Sequence, residues 1–269
     1  MLYLIFTIDG DWDEYFCHEL PERERRPDLG CLLTLIDREL KTAALVGGKV
    51  VHFIHTSPLV RDFFLRPEFI DKWRAVEKNG GSIAVHCHEE DLYTAWHYDD
   101  QDRMDKAISD FTNSLRRTGL NPQSYRGGFM TFSSKLIPIL EQNGLFIDFS
   151  CEPGRHLEYN EVLVSDWQGA PDNYYRLDYD DKCKSGNSQV FEVPLGIYIE
   201  RQSIWQIWQK AKELKNKSGT TIVTVLAHTY DFSSRRMKLK IKLALTILKM
   251  YGKFINVKEA LGILRSDSK

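Results

Sequence analysis

Residues 82–91, SIAVHCHEED, run apolar to Val85 and then present two histidines and three acids in six positions. A short β-branched apolar run suits a strand covered on both faces, as strands of parallel sheets are. The abrupt change of character puts His86, His88, Glu89, Glu90 and Asp91 at its carboxyl end. The same reading repeats along the chain. LYLIFTI, KVVHFIHT, LFIDFS, VFEVPLGI and TIVTVLAH are further strand-like runs, separated by amphipathic stretches at 32–45, 67–78, 102–117, 133–142, 203–215 and 235–250. That alternation predicts a parallel sheet, open or closed into a barrel, wrapped by helices.

In such folds ligands bind where the strands end. FTIDGDWD brings Asp9, Asp11 and Asp13 there, SYRGG offers Arg126, and TVLAHTYD ends in His228 and Asp231. Each has a plainer reading. Asp9 and Asp11 suit an Asp-Gly turn, and His228 alone reads as a core histidine. His86 and His88, two apart, face one side of a continuing strand and suit a shared metal. His52 and His55 fall on opposite faces of a strand with no acid beside them and read as structural. His18, His97 and His156 read as solvent-facing. The run RRMKLKIK reads as the solvated side of a packed helix.

With 269 residues, 42% of them hydrophobic, the chain can bury one sizeable core, here read as a single catalytic domain over 1–269. A net charge of −2 gives no electrostatic footprint for nucleic acid or an anionic membrane, so a small or neutral substrate is expected. The first apolar run lacks a basic start and a cleavage site, and no run reaches membrane-spanning length. Five cysteines without a CxxC pair predict a reduced, cytoplasmic protein. Residues 151–189 are polar and break the alternation, which predicts a functional excursion.

The ordered motifs resemble those of the polysaccharide deacetylases, the carbohydrate esterase family four group with its nodulation-factor-deacetylase-like relatives, over nearly the whole chain. FTIDGDWD is similar to the family's T-V-D-V-D-W opening, and GSIAVHCHEEDL occupies the place of its histidine motif. YRGGFMTFSSKLIPILEQNGLFIDFSCEPG resembles its arginine motif with the turn, helix and strand after it. DWQGAPDNYYRL and FEVPLGI look like the loop and strand of cytoplasmic relatives from surface-polysaccharide gene clusters, and VLAHTYDF is similar to the closing histidine motif. The resemblance implies a distorted (β/α) barrel of about seven parallel strands ringed by helices. It implies hydrolysis of an N-acetyl or formyl group on an amino sugar or glycan precursor. Asp9 would be the base, Arg126 its partner and His228 the acid. Asp11, His86 and His88 would hold a divalent metal, Zn²⁺ first, with Glu90 as the alternative third ligand. A backbone N–H near Phe129 would serve the oxyanion, and Asp148 or Asp166 would tune His228. Trp12, Trp167 and Tyr174 would be sugar platforms, the excursion forming a wall of the site.

Two departures stand out. The usual H-x-x-x-H is here H-x-H, and Gly128 stands where the arginine motif has proline. A silent glycan-binding relative, and a metal hydrolase of amidohydrolase or phosphoesterase type, are the competing readings. The first predicts Asp9 or His228 turned out of the site; the second wants H-x-H on the first strand, where this chain has acids.

Overall fold

The structure, a computed structural model, describes residues 1–17, 19–91, 95–159 and 162–267, without the side chains of 90, 91, 95–97 and 159. In chain order its strands are β1 (Leu2–Asp9), β2 (Val50–Thr56), β3 (Ser82–Cys87), the pair β4 (Glu90–Asp91) and β5 (Ala95–Trp96), β6 (Ser124–Gly127), β7 (Ile147–Asp148), the hairpin β8 (His156–Tyr159) and β9 (Val162–Asp166), β10 (Tyr175–Arg176), β11 (Phe191–Glu192), β12 (Leu195–Tyr198), β13 (Thr221–His228) and β14 (Lys253–Phe254). Ten of these form one curled sheet in the order β10-β11-β7-β6-β3-β2-β1-β13-β12, with β14 added beside the start of β1. All of its pairings are parallel except β10 with β11.

The helices are α1 (Glu22–Arg25), α2 (Leu29–Ala43), α3 (Pro67–Lys78), α4 (Gln101–Arg117), α5 (Ile137–Gln142), α6 (Ile204–Lys215), α7 (Arg235–Tyr251) and α8 (Val257–Asp267). Their starts are set by local sequence: Asp28 and Asp100 cap α2 and α4, Pro67 opens α3, and Ser203 with Gln206 forms a capping box on α6. β2 and β13 are buried throughout and β1 at every position but Tyr3, because a central parallel strand has helices on one face and the barrel interior on the other. This is the distorted (β/α) barrel that the resemblance implied.

The sequence run VFEVPLGI is one strand that divides at Val193 and Pro194. Its first half pairs with β7 and its second with β13. Residues 191–198 thereby bridge two strands that would otherwise be free edges, and the barrel curls shut around them.

Register then brings the ionisable strand ends together. Asp9 is the partner of His228, His55 of His86, and His86 of Arg126.

Candidate active site

Asp11, His86 and His88 converge at the carboxyl end of the sheet, all nearly inaccessible. His86 Nδ1 lies 3.0 Å from the Arg126 carbonyl, an acceptor only, so Nδ1 carries the proton and Nε2 presents a lone pair. That Nε2 is 3.0 Å from His88 Nε2 and 3.5 Å from Asp11 Oδ1, and His88 Nε2 is 3.6 Å from the same oxygen. Ligands on a tetrahedral zinc-like ion at 2.0–2.1 Å stand about 3.3 Å apart. The triangle brackets that edge length, so the three side chains fit a divalent cation. Glu90, the alternative ligand, lies outside the described side chains.

A second group, Asp9, Asp11 and His228, also has its ligand atoms within 4.8 Å of one another. It is the poorer cage, because Asp9 Oδ1 is already engaged by Arg126 Nη1 at 2.5 Å. Arg126 is wholly buried. It donates to the Phe149 carbonyl and the Thr7 hydroxyl as well, and lies over the Phe53 ring. A guanidinium fixed by so many partners holds the Asp9 carboxylate in one orientation.

His55 reads as structural in the sequence, and the structure corrects that. Its Nδ1 lies 2.8 Å from Asp11 Oδ1, its ring stacks on His88 at 4.6 Å, and Trp12 and Tyr15 close over it. Burial and the nearby His88 pull its imidazole down to about 4, so it is neutral at physiological pH and donates Nδ1–H to the carboxylate. Burial alone would raise Asp11; His86 and His88, with the hydrogen bond from His55, instead hold its carboxyl well below the usual range. His52 has an acid too, Glu39 at 2.9 Å, on the outer side of the sheet. Of the histidines expected to face solvent, His156 is part exposed between Glu158 and Asp166, while His18 and the His97 side chain lie outside the described residues.

His228 sits across the pocket. Its Nδ1 is 3.8 Å from Glu200 Oε2 and 3.9 Å from Asp231 Oδ2, its ring stacks on Tyr230, and its Nε2 is 3.5 Å from the Tyr198 hydroxyl. Asp231 also accepts the His228 backbone N–H, and burial pushes its carboxyl up to about 6. The acids expected to tune His228 lie elsewhere. Asp148 is bound to Ser150 and paired in register with Glu192, and Asp166 stands beside His156. Asp231, three residues after His228 in HTYD, was visible in the sequence; Glu200 was not.

A pocket of about 200 Å³ lies between these groups, lined by Asp9, Asp11, His86, His88 and His228 with Phe16, Phe129, Met130, Tyr198, Tyr230, Arg155 and Arg201. Its aromatic faces differ from those expected. Trp12 is buried behind His55, with Nε1 donating to the Arg25 carbonyl. Trp167 is wholly buried and donates to the Met130 carbonyl at 2.7 Å. Tyr174 donates to Asp267, and its neighbour Asn173 bonds Thr220 and Ile222 at the start of β13. β13 runs eight residues from there to His228, about 20 Å away at strand rise. The excursion therefore spans the barrel's length and reaches the pocket through Arg155.

Phe129 does line the pocket, on a turn where it and Met130 both have positive φ, 56° and 60°. Two consecutive non-glycine residues in the left-handed region are strained and need outside support. Trp167 and Ser165 supply it, both donating to the Met130 carbonyl.

No protein-family model matches the chain, and no curated protein matches it in sequence. Solved structures do. A chain assigned as a polysaccharide deacetylase from Mycobacterium smegmatis aligns over 99% of this chain and 91% of its own, with TM-score 0.66 and 15% identity. One so assigned from Pseudomonas aeruginosa PAO1 aligns over 97% and 90%, with TM-score 0.58 and 12% identity. PuuE allantoinase aligns over 97% and 89%, with TM-score 0.59 and 12% identity. The chain has the fold of the polysaccharide deacetylases, in a version shared with an allantoinase.

Proposed function

We propose that this chain, over its whole length, is a divalent-metal-dependent N-deacetylase acting on an N-acylated amino sugar, N-acetyl first, in glycan or glycoconjugate assembly in the cytoplasm. One observation carries the reading: the Asp11–His86–His88 triangle opens into a pocket that Asp9, held by Arg126, and His228 also line. Zn²⁺ suits two imidazoles and one carboxylate.

A cation held there would polarise the acyl carbonyl and acidify a water at neutral pH. Asp9, through the oxygen not engaged by Arg126, accepts the proton of the attacking water. Arg126 keeps that carboxylate aimed. His228 has its Nδ1 side toward Glu200 and Asp231, so Nε2 delivers the proton that the departing amine needs. Water and amide become carboxylic acid and amine, with one proton taken at Asp9 and one given at His228, and in solvent the new acid then passes its proton to the amine. Tyr198, Tyr230, Phe16 and Phe129 offer ring faces to the sugar. Asp9 and His228 both face the pocket, which disfavours the silent-relative reading.

The test is acyl release by the metal-loaded protein from free, nucleotide-linked and lipid-linked N-acetyl and N-formyl amino sugars. Chelation should abolish activity and zinc or cobalt restore it. Asp9→Asn should lower turnover about a hundredfold or more with metal retained. If no member of the panel is cleaved, the reading falls.

A further inference from the structure

α7, RRMKLKIKLALTILKMY, carries six cations and no acid in seventeen residues. Its core side is Ile241, Ala244, Leu245 and Leu248. The opposite side is the solvated face expected from sequence, and it carries apolar side chains as well as cations. Leu239, Leu243 and Met250, at helical spacing on one outward stripe, are 68%, 45% and 69% exposed. Leu45, whose carbonyl accepts from Lys249, and Trp205 on α6 are exposed as well. Together these make five of the nine exposed large apolar side chains among the described residues.

The cations around this stripe are uncompensated. Lys240 and Lys249 donate to backbone carbonyls, of Glu200 and Leu45. Among the described residues no carboxylate stands within ion-pair distance of any of the six. Desolvation first, then the nearby Arg38, Arg235 and Lys242, pull the Lys238 ammonium down. A chain of net charge −2 has thus gathered positive charge and apolar side chains on one helix.

We infer that the outer face of α7 docks the protein on an anionic lipid surface, its leucines and methionine entering the headgroup boundary while its lysines and arginines meet the lipid phosphates. Apolar side chains interleaved with Lys and Arg, without acids, have the composition of an in-plane interfacial helix. A second copy of this chain fits worse, since pairing two such faces would oppose six cations with six. The face also begins at the catalytic end: α7 starts three residues after Phe232, in the turn that follows His228, and Lys240 bonds the Glu200 carbonyl beside that histidine. A docked molecule would open its pocket near the lipid, where a lipid-carried amino sugar lies. That consequence rests on the deacetylase reading; docking itself does not.

The experiment sediments the full chain with vesicles of phosphatidylcholine containing one-third phosphatidylglycerol, and with phosphatidylcholine alone. Binding is expected to the anionic vesicles at low salt and to weaken at high salt. Leu239→Glu with Leu243→Glu, and separately Lys238→Glu with Lys242→Glu, should each reduce binding about tenfold or more, with the unfolding midpoint little changed. Three results overturn the inference: equal recovery with both lipids, no recovery with either, or binding that the two double variants leave intact. Light scattering showing a dimer that Leu239→Glu with Leu243→Glu dissociates assigns the face to a second copy instead. Binding to polyglutamate but not to vesicles assigns it to an acidic protein.

Discussion

His55 shows why single residues resist reading from sequence. Asp9, His86, Arg126 and His228 were legible because each ends an apolar strand, and strand ends in this fold share one rim. His55 also nears the end of a strand, but no acid accompanies it in KVVHFIHT. Its acid is Asp11, 44 positions earlier, and only the β1–β2 pairing brings the two to 2.8 Å. Burial leaves the ring neutral, with Nδ1–H committed to the carboxylate of the candidate metal triangle. Removing a hydrogen bond of this kind typically costs a metal site 10- to 100-fold in affinity. His55→Ala should therefore bind zinc about tenfold or more weakly in chelator competition, whereas Phe64→Leu, a packing change against the same aromatic cluster, should leave affinity nearly unchanged. Equal zinc affinity in His55→Ala and the parent would remove His55 from the site.

At the scale of elements, the two departures from the family pattern turn out to be one feature. A Cβ on residue 128 would lie 2.5 Å from His88 Nδ1 and 2.7 Å from the Tyr98 hydroxyl, so the space a proline ring would fill is taken by His88. An imidazole delivered two residues after His86, rather than four, needs a bare backbone opposite it. Gly128→Ala should accordingly push His88 out of the triangle and lower zinc affinity about tenfold or more, beyond the roughly 1–3 kcal/mol that overpacking costs in stability. Calorimetric titration checks it, and unaltered affinity would break the link between the glycine and the H-x-H form. The helices were largely legible, ending within a few residues of their expected bounds, because caps and periodicity are local. The excursion was not. It was expected as a wall of the site, yet Trp167, Tyr175 and Leu177 are buried in the main core, and polarity carries no information on which end of the barrel a tryptophan meets. Trp167 became a prop for the strained turn at Phe129 and Met130, and Tyr174 went to the far end.

For the whole molecule, the barrel's closure is a long-range property that no window of sequence displays, and it sets up a pH dependence of its own. At the crossing where residues 191–198 leave β7 for β13, Glu192 and Asp148 are register partners and both wholly buried. Glu192 Oε1 accepts from the Cys151 N–H at 3.1 Å and Asp148 Oδ1 from the Ser150 hydroxyl at 2.7 Å. Two buried carboxyls side by side cannot both ionise cheaply, so they hold a shared proton. Burial, then the Asp148 charge, raises Glu192 well above its ordinary 4.5, and burial raises Asp148 as well. The sign is set by proton counts. Above pH 4.5 the unfolded chain releases the Glu192 proton while the folded chain keeps it, so the folded state binds more protons and stability falls as pH rises toward the raised value. Glu192→Gln preserves shape, can donate to Asp148, and removes that linkage. Thermal unfolding of chelator-treated protein, which keeps proton-coupled metal loss out of the comparison, should show parent and variant closest near pH 4.5 and diverging above it. The variant should become the more stable, and the parent's extra slope should not exceed that of one proton, about 1.4 kcal/mol per pH unit. Parallel stability curves for the two proteins would mean that Glu192 carries no proton in the folded barrel, and that the closing strand is held by its backbone hydrogen bonds alone.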